Sequence, residues 1–318
     1  MPEVALSRLG YGAANVGNLY RALTDDEAWQ ILDTAWECGI RYFDTAPHYG
    51  LGLSERRLGA FLATKPRADY VVSTKVGRLL RPNPSGAGRM DDENDFAVPA
   101  DLKRVWDVTA DGVRRSLEES LERLGLDAVD VVYLHDPERF DLRRGVDEGL
   151  PAMAKLREEG LVRAIGVGSM ATDALLATAR TGVLDLLMVA GRFTLADQSV
   201  AAEVLPACRE HGIGIVDAAV FNSGLLASPT PSVESRFDYG PVPPQLLERI
   251  RRIAVVCAEL DVPLPVAALH YPFQEPSVRS VVVGGASPEQ VRQNAAGLAR
   301  DVPAQLWDRL RDEGLVAL

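Results

Sequence analysis

The chain has 318 residues, of which 47% are hydrophobic and 25% charged, enough apolar material for the core of one or two globular domains. Its 34 basic and 45 acidic residues give a net charge of −11, spread along the chain, which argues against nucleic acid or an anionic membrane as a partner. The N-terminal stretch lacks a signal-peptide pattern and no apolar run approaches the roughly 18 residues that span a bilayer, so a cytoplasmic protein is expected.

Apolar runs of strand length alternate with helical patterns along the whole chain. The runs are short and mostly continuous in hydrophobicity, as in strands that are buried on both faces. In chain order the eight predicted strands are Leu6–Gly12, Tyr42–Asp44, Tyr70–Lys75, Val129–His135, Ala164–Gly168, Leu184–Val189, Gly214–Ala218 and Ser280–Val283.

The helical patterns between these runs have clear start and stop signals. One opens with Thr24 as N-cap and Glu27 three residues later, which is a capping box, and stops at Gly39. The pattern after the eighth strand begins with Ser287 as N-cap and Pro288 at the first helical position. Each strand is therefore expected to feed a helix.

Eight strand–helix units without a break in composition predict an α/β fold, a (β/α)8 TIM barrel, as a single domain over residues 1–318. The competing doubly wound sheet is disfavoured because "GYGAANVG" after the first strand lacks the GxGxxG spacing. Two long connections, Gly77–Asp107 and Asn222–Pro244, follow the carboxyl ends of strands, where barrel active sites are built, and are expected to be substrate loops.

The three cysteines, Cys38, Cys208 and Cys257, are odd in number and far apart. Buried free thiols are therefore expected, with neither a disulfide framework nor a CxxC metal site. A metal-dependent barrel hydrolase is disfavoured because no HxH ends the first strand, and no metal is expected.

Titratable side chains replace apolar residues at the ends of three consecutive predicted strands. Asp44 ends the second strand with Tyr49 just beyond it, Lys75 ends the third and His135 ends the fourth. Each residue alone is an ordinary rim residue, and His48 beside Tyr49 is expected to be one. Because the carboxyl ends of parallel barrel strands ring one face, the four groups together predict a site.

These four groups suit the interconversion of a carbonyl and an alcohol. A phenol has an ordinary pKa of about 10, and a neighbouring ammonium is expected to lower the pKa of Tyr49. Asp44 would keep Lys75 charged, and a neutral His135 would orient the substrate oxygen. A bound cofactor would supply the hydride.

At these residues the sequence resembles the aldo-keto reductase superfamily, through "FDTAPHYGLGLSERRLG", "STK" and "LH". The resemblance implies that Asp44, Tyr49, Lys75 and His135 form a catalytic tetrad with Tyr49 as proton donor or acceptor. "LHDPERFD", "VAGRFTLADQ" and "VFNSGLLA" are similar to the sugar-oxidising branch that includes D-threo-aldose (L-fucose) 1-dehydrogenases, pyridoxal 4-dehydrogenases and L-galactose dehydrogenases. The branch implies oxidation of the anomeric hydroxyl of an aldose to a lactone.

The cofactor phosphates are expected at "FNSGLL" after strand seven and "GGASPEQ" after strand eight. "GVGSM" departs from the family's usual "GVSN", so that only Ser169 remains to hold the nicotinamide carboxamide, and "AGRF" offers no obvious partner. NAD is predicted, with NADP as the alternative, because Gly284 to Val291 contains no Lys or Arg to meet a 2′-phosphate. The predicted cofactor contacts are Ser169, Asn222, Ser223, Gly224, Gly284, Ser287, Gln290 and Asn294.

Polar and aromatic residues of the two long loops suit sugar hydroxyls and ring stacking. The predicted substrate contacts are Asn94, Trp106, Phe237 and Tyr239. Alternatives are an NADPH-dependent aldehyde or ketone reductase, a pyridoxal dehydrogenase, and a cofactor-binding regulatory subunit such as the potassium-channel β-subunits of this superfamily. Which sugar or aldehyde is used, and the oligomeric state, stay open.

Overall fold

Eight parallel strands close into a barrel in which each strand pairs with the next along the chain, in a computed structural model that describes residues 4–238 and 240–317. The predicted (β/α)8 fold is confirmed, and the strand ends differ from the predicted ones by up to three residues. The strands are β1 (Leu9–Gly12), β2 (Tyr42–Asp44), β3 (Val71–Val76), β4 (Val131–His135), β5 (Ala164–Ser169), β6 (Leu186–Ala190), β7 (Gly214–Ala218) and β8 (Val278–Val283).

Helices surround the barrel, and their ends follow the capping signals. The Thr24 hydroxyl accepts from the Glu27 amide at 3.2 Å while the Glu27 carboxylate accepts from the Thr24 amide at 2.7 Å, the predicted capping box. The helices are α1 (Asp25–Glu37), α2 (Leu53–Leu62), α3 (Ala110–Leu124), α4 (Leu150–Glu158), α5 (Thr172–Ala179), α6 (Val204–His211), α7 (Pro244–Glu259), α8 (Leu264–His270), α9 (Pro288–Ala299) and α10 (Ala304–Asp312).

Strand side chains alternate between a small cluster inside the barrel and a larger one under the helices. The inner cluster contains Tyr42 and Tyr133, whose hydroxyls lie 3.1 Å apart. Tyr42 also lies 3.1 Å from the Ser73 hydroxyl, which donates to Asp44 Oδ1 at 2.7 Å. A buried chain of hydroxyls thus leads from the barrel interior to the end of β2.

The first long loop is an ordered unit. Arg78–Pro82 pairs antiparallel with Leu102–Trp106, and Met90–Asp91 pairs with Phe96–Pro99. Its apolar side chains pack on the loop after β2 in a separate cluster that contains Leu51, Leu80, Phe96 and Val98. The second long loop contains the two-residue pairing of Arg236–Phe237 with Gly240–Pro241.

All three cysteines are free thiols; Cys208 and Cys257 are buried and Cys38 is half-buried. Among the described helices, none is alone long and apolar enough to cross a bilayer. Only Pro244–Glu259 taken together with Leu264–Gln274, at a 97° bend, reaches that length and composition.

The contact between α2 and α3 requires a glycine at position 59. A Cβ added to Gly59 would lie 2.0 Å from the backbone carbonyl oxygen of Leu124, which cannot swing aside as a side chain would. We expect Gly59→Ala to lower the free energy of unfolding by about 1–3 kcal/mol or more, measured by urea denaturation. The control is Gly297→Ala in α9, where the nearest atom is a flexible Leu269 methyl at 3.0 Å. Equal stability of the two variants would contradict the close helix approach.

Candidate active site

The four predicted catalytic residues converge at the carboxyl ends of β2, β3 and β4. Asp44, Tyr49, Lys75 and His135 all line one cavity of about 230 Å³. The convergence follows from the parallel barrel, which places the ends of neighbouring strands on a common rim. Residues that are up to 91 positions apart in the chain, the interval from Asp44 to His135, therefore share one cavity.

Lys75 and Asp44 form a buried ion pair. Lys75 Nζ lies 2.5 Å from Asp44 Oδ2 and also donates to the Thr45 carbonyl oxygen at 3.1 Å, and the two charged side chains are only 2% and 3% exposed. Burial, the largest single influence, lowers the pKa of Lys75, but Asp44 and Tyr49 together outweigh it, so the pKa is raised above its ordinary value. The ammonium therefore stays charged at neutral pH.

Tyr49 lies beside this ammonium, with Lys75 Nζ 4.8 Å from the ring centroid. Burial raises the pKa of the phenol by more than the charge of Lys75 lowers it, so the pKa is above its ordinary value. The sequence-based prediction of a lowered pKa is wrong, because it counted the charge of Lys75 and neglected the desolvation of the phenolate. The phenol is protonated at neutral pH.

His135 is a neutral imidazole. Burial, and then the positive charges of Arg78 and Lys75, hold its pKa well below the ordinary value. His48 packs edge-on against both His135, at 5.6 Å between ring centroids, and Phe96, at 5.5 Å. Burial and the charge of Arg104 lower the pKa of His48 to about 2, so it packs behind His135 as an uncharged ring.

A groove of about 410 Å³ continues from this cavity along the ends of β7 and β8. Gly284 lines both parts, and a Cβ there would lie 2.5 Å from Asn15 Oδ1, which also lines both. The residues common to the two linings are Asn15, Leu19, Ala219, Val282 and Gly284. The cavity and the groove are therefore one continuous cleft.

Most of the predicted cofactor contacts line this cleft. Ser169 lies at the end that holds Tyr49, and the groove is lined by Asn222, Ser223, Gly224, Gly284 and Gln290. Ser287 acts as the N-cap of α9, where its hydroxyl accepts from the Gln290 amide at 3.3 Å. Asn294 lines neither part of the cleft and lies instead at a small gap with Leu9 and Tyr11.

The side chain of Asn222 is committed to hydrogen bonds with the loop after β6. Its Oδ1 accepts from the Thr194 hydroxyl at 2.6 Å and its Nδ2 donates to the Gly191 carbonyl at 3.0 Å. Asn222 has a left-handed φ of 43°, which Asn tolerates better than most residues. Asn222 therefore shapes the wall of the groove and joins the loops after β6 and β7.

Ser169, where the sequence departs from the family pattern, is oriented by Glu138. Its hydroxyl donates to Glu138 Oε1 at 2.8 Å and accepts from the Ala171 amide at 2.9 Å. Burial raises the pKa of the Glu138 carboxyl. Ser169 thus keeps one lone pair with which to accept a hydrogen bond in the cavity. Sequence reasoning missed Glu138, because nothing local links it to strand β5.

Two arginines near the groove were also missed. Arg192 bridges the loops after β6 and β7, with its guanidinium 2.7 Å from Asp238 and bonded to the Met170 carbonyl at 2.9 Å. Arg21, from the loop after β1, donates to the Ala286 carbonyl at 3.0 Å and pairs with Glu27 at 3.3 Å. Only the tertiary fold places these two arginines near the groove.

Three of the predicted substrate contacts, Asn94, Trp106 and Phe237, do not line the tetrad cavity. Asn94 and Trp106 line a separate cavity of about 770 Å³ within the first long loop. The ring centroids of Trp106 and Phe140 lie 5.6 Å apart, and the guanidinium carbon of Arg78 lies 4.3 Å from the ring centroid of Trp106. Phe237 packs, half-buried, against the main core. Tyr239 lies outside the described residues.

The cleft fits a nicotinamide dinucleotide. It is long, it has the acid/base residues at one end, and the other end reaches the N-terminus of the 12-residue helix α9, where backbone amides favour phosphate. Ser169 would hold the nicotinamide end, and Gly224, Gly284 and Gln290 the remainder. Within residues 4–238 and 240–317, no three His, Cys, Asp or Glu side chains are placed to hold a metal ion.

A closed barrel with this cleft is the architecture of a nicotinamide-dependent oxidoreductase, and the chain belongs to the aldo/keto reductase family, whose model matches residues 8–312. The predictions of family and of enzyme class are confirmed. Members of the family use nicotinamide cofactors and act on small-molecule aldehydes or sugars.

Individual relatives cover nearly the whole chain. It is 58% identical to the D-threo-aldose 1-dehydrogenase of a Pseudomonas species, over 98% of this chain and 95% of that protein. It is 35% identical to the pyridoxal 4-dehydrogenase of Microbacterium luteolum, over 99% and 96%. The glycerol dehydrogenase of Gluconobacter oxydans has a similar fold, with a TM-score of 0.76 over 96% of this chain and 91% of that one at 21% identity.

The buried ion pair predicts a large loss of stability when one partner is removed. We expect Lys75→Met to lower the free energy of unfolding by about 3–5 kcal/mol, because it leaves the Asp44 carboxylate buried without its partner. Urea denaturation measures the loss, and Lys75→Met/Asp44→Leu should recover part of it. The matched control is Lys155→Met, which removes an ammonium that is 70% exposed and should change stability by less than about 1 kcal/mol. A Lys75→Met protein as stable as this control would contradict the prediction.

Proposed function

We propose that this enzyme oxidises the anomeric hydroxyl of an aldose of the L-fucose or D-threo type to the lactone, with hydride transfer to NAD. The observation that carries the proposal is the convergence of Asp44, Tyr49, Lys75 and His135 in a cavity that opens into a dinucleotide-sized groove. The sugar class rests on the name of the 58% identical relative.

In this proposal each side chain has one role. The anomeric oxygen lies between the phenol of Tyr49 and the neutral imidazole of His135, which donates a hydrogen bond to it. Tyr49, as the phenolate, accepts the proton of the anomeric hydroxyl. The positive charge of Lys75 stabilises this phenolate. Asp44 acts through Lys75, by keeping the ammonium charged and in place. Bound NAD, held by residues of the groove, would supply the hydride acceptor for this oxidation.

The direction of the pH dependence follows from the raised pKa of Tyr49. Sugar oxidation requires the phenolate, because the phenol must accept a proton. Below the pKa of the phenol, the phenolate fraction rises about tenfold per pH unit, so oxidation should accelerate with pH through the alkaline range. Reduction uses the protonated phenol, which predominates below that pKa, so its rate should stay nearly constant over the same range and fall only as the pH approaches the pKa of Tyr49.

We further propose that the enzyme works in the cytoplasm as one domain that extends over residues 1–318. Three free thiols support a reducing compartment. The small-molecule substrate enters at the carboxyl face of the barrel.

Tyr49→Phe tests the catalytic assignment. We expect turnover of L-fucose to fall by at least about 10³-fold while NADH binding, followed by nucleotide fluorescence, stays within a factor of about three, because the phenol moves a proton and does not hold the dinucleotide. Tyr70→Phe, which removes a phenol hydroxyl directly before β3, at the end of the barrel opposite to the cavity, is the matched control and should retain turnover. Near-normal kcat in Tyr49→Phe would end the assignment. Wild-type protein that reduces simple aromatic aldehydes far faster than it oxidises any sugar would favour an aldehyde reductase instead.

The choice of NAD over NADP rests on the loop between β8 and α9. The stretch from Gly284 to Val291 contains no cation, and Gln290 Oε1 accepts from the Ala286 amide at 2.7 Å. The one arginine described at this loop, Arg21, is already paired with Glu27. A 2′-phosphate would therefore add about two negative charges without a free partner.

We expect kcat/KM to favour NAD over NADP by at least about tenfold, and Gln290→Arg to shift that ratio toward NADP. Gln293→Arg adds the same charge to the exposed side of α9, where Gln293 bonds Glu289, and should leave the ratio unchanged. A tenfold preference of the wild-type enzyme for NADP would contradict the proposal and would direct attention to Arg21 and to the exposed Arg292.

A further inference from the structure

Asp136, the residue directly after His135, lies in the wall of the tetrad cavity. Its backbone is left-handed, with φ 44° and ψ 58°, and its amide donates to the Gly168 carbonyl at 2.9 Å. This conformation costs a non-glycine residue on the order of 1 kcal/mol, and such residues cluster at functional sites. The chain turns sharply here and leaves a carboxylate next to the neutral imidazole.

Arg78 fixes that carboxylate in place. Arg78 Nη2 donates to Asp136 Oδ2 at 2.5 Å, and the two side chains are 5% and 16% exposed. The guanidinium itself lies 4.3 Å from the ring centroid of Trp106, which stacks on Phe140. A buried ion pair contributes little net stability, because the cost of desolvating both charges offsets their attraction. Stability alone therefore does not explain why this pair lies beside the cavity.

The second oxygen of Asp136 remains available. Within residues 4–238 and 240–317 no side chain or amide donates a hydrogen bond to Oδ1, while Oδ2 is held by Arg78. Asp136 Oδ2 lies 3.7 Å from His135 Nε2, the imidazole that is assigned to the reacting oxygen. Oδ1 belongs to the same carboxylate, so it is within reach of an oxygen on the carbon next to the reacting carbon of a substrate.

We propose that Asp136, positioned by Arg78, accepts a hydrogen bond from the hydroxyl on the carbon next to the reacting carbon. The site thereby selects substrates with neighbouring hydroxyls over simple alcohols and aldehydes. This inference rests on the proposed function, oxidation of an aldose, and assigns the recognition of its 2-hydroxyl to one residue. Arg78 is a positioning residue that acts through Asp136.

The expected selectivity is large. A hydrogen bond to a charged acceptor is roughly twice as strong as one between neutral groups, and a site built for a substrate hydroxyl can reject the analogue without it by 10⁴-fold or more. Because this site is open to water, we expect a smaller ratio here. For the wild-type enzyme, kcat/KM for L-fucose should exceed that for 2-deoxy-L-fucose about 10²-fold.

The test combines the two sugars with Asp136→Asn. Asn is isosteric and tolerates the left-handed conformation, and Arg78 should draw its amide oxygen, which turns a donor toward the cavity in place of the acceptor. We expect kcat/KM for L-fucose to fall by at least about 30-fold and for 2-deoxy-L-fucose by less than about threefold. The matched control, Asp147→Asn, removes a carboxylate that is 59% exposed and pairs with Arg143, and should change neither value.

The outcomes separate this inference from the proposed function. Equal losses on the two sugars would show that Asp136 acts only on structure and would overturn the inference, while the aldose activity stands. Wild-type protein that oxidises no aldose would overturn both. If Asp136→Asn fails to fold because Arg78 lacks a partner, Arg78→Met/Asp136→Asn removes both charges and must show the same unequal losses.

Discussion

The ion pair between Lys75 and Asp44 is the contact on which the active face of the barrel depends. Two charges buried this deeply persist only when each is paired and hydrogen-bonded, since desolvation is otherwise uncompensated. The pairing requires the register of β2 and β3 in which Asp44 lies opposite Ser73, two positions before Lys75. A slip of one residue would turn one of the two charges to the other face of the sheet. The register of β2 and β3 therefore has to be kept for the Lys75–Asp44 pair, and with it the proposed acid/base chemistry, to exist.

Around this pair the charges are arranged so that the two hydrogen-bonding groups stay neutral. Burial raises the pKa of the Tyr49 phenol, and burial together with Arg78 and Lys75 lowers the pKa of the His135 imidazole. Both groups can then donate a hydrogen bond at neutral pH, and in the proposed reaction each direction requires a different protonation state of Tyr49. The same low dielectric that strengthens these hydrogen bonds makes the Asp44 partner of Lys75 indispensable.

The loops at the carboxyl ends of the strands form the walls of the groove and one edge of the cavity. The turns after β7 and β8 form the walls of the groove, and the side chain of Asn222 holds the turn after β7 to the turn after β6. The first long loop is packed on the barrel through Phe96 and reaches the cavity edge through Arg78, which grips Asp136. The barrel supplies the chemistry that the family shares, while this loop reaches the side of the cavity where substrate hydroxyls are expected.

The amino-acid sequence by itself determined the barrel and the family, and it predicted that Asp44, Tyr49, Lys75 and His135 meet in one cavity, as they do. Eight apolar runs with capped helices between them allow few other folds, and polar residues at the ends of consecutive parallel strands must share a rim. Only the tertiary structure decided which side chains line the cavity and which are buried against other residues. Trp106 and Phe237, read from the sequence as substrate contacts, lie against Phe140 and the core. The partnership of Arg78 with Asp136, 58 residues apart, and the net effect of burial on Tyr49 depend on three-dimensional neighbours, and no local pattern encodes those contacts.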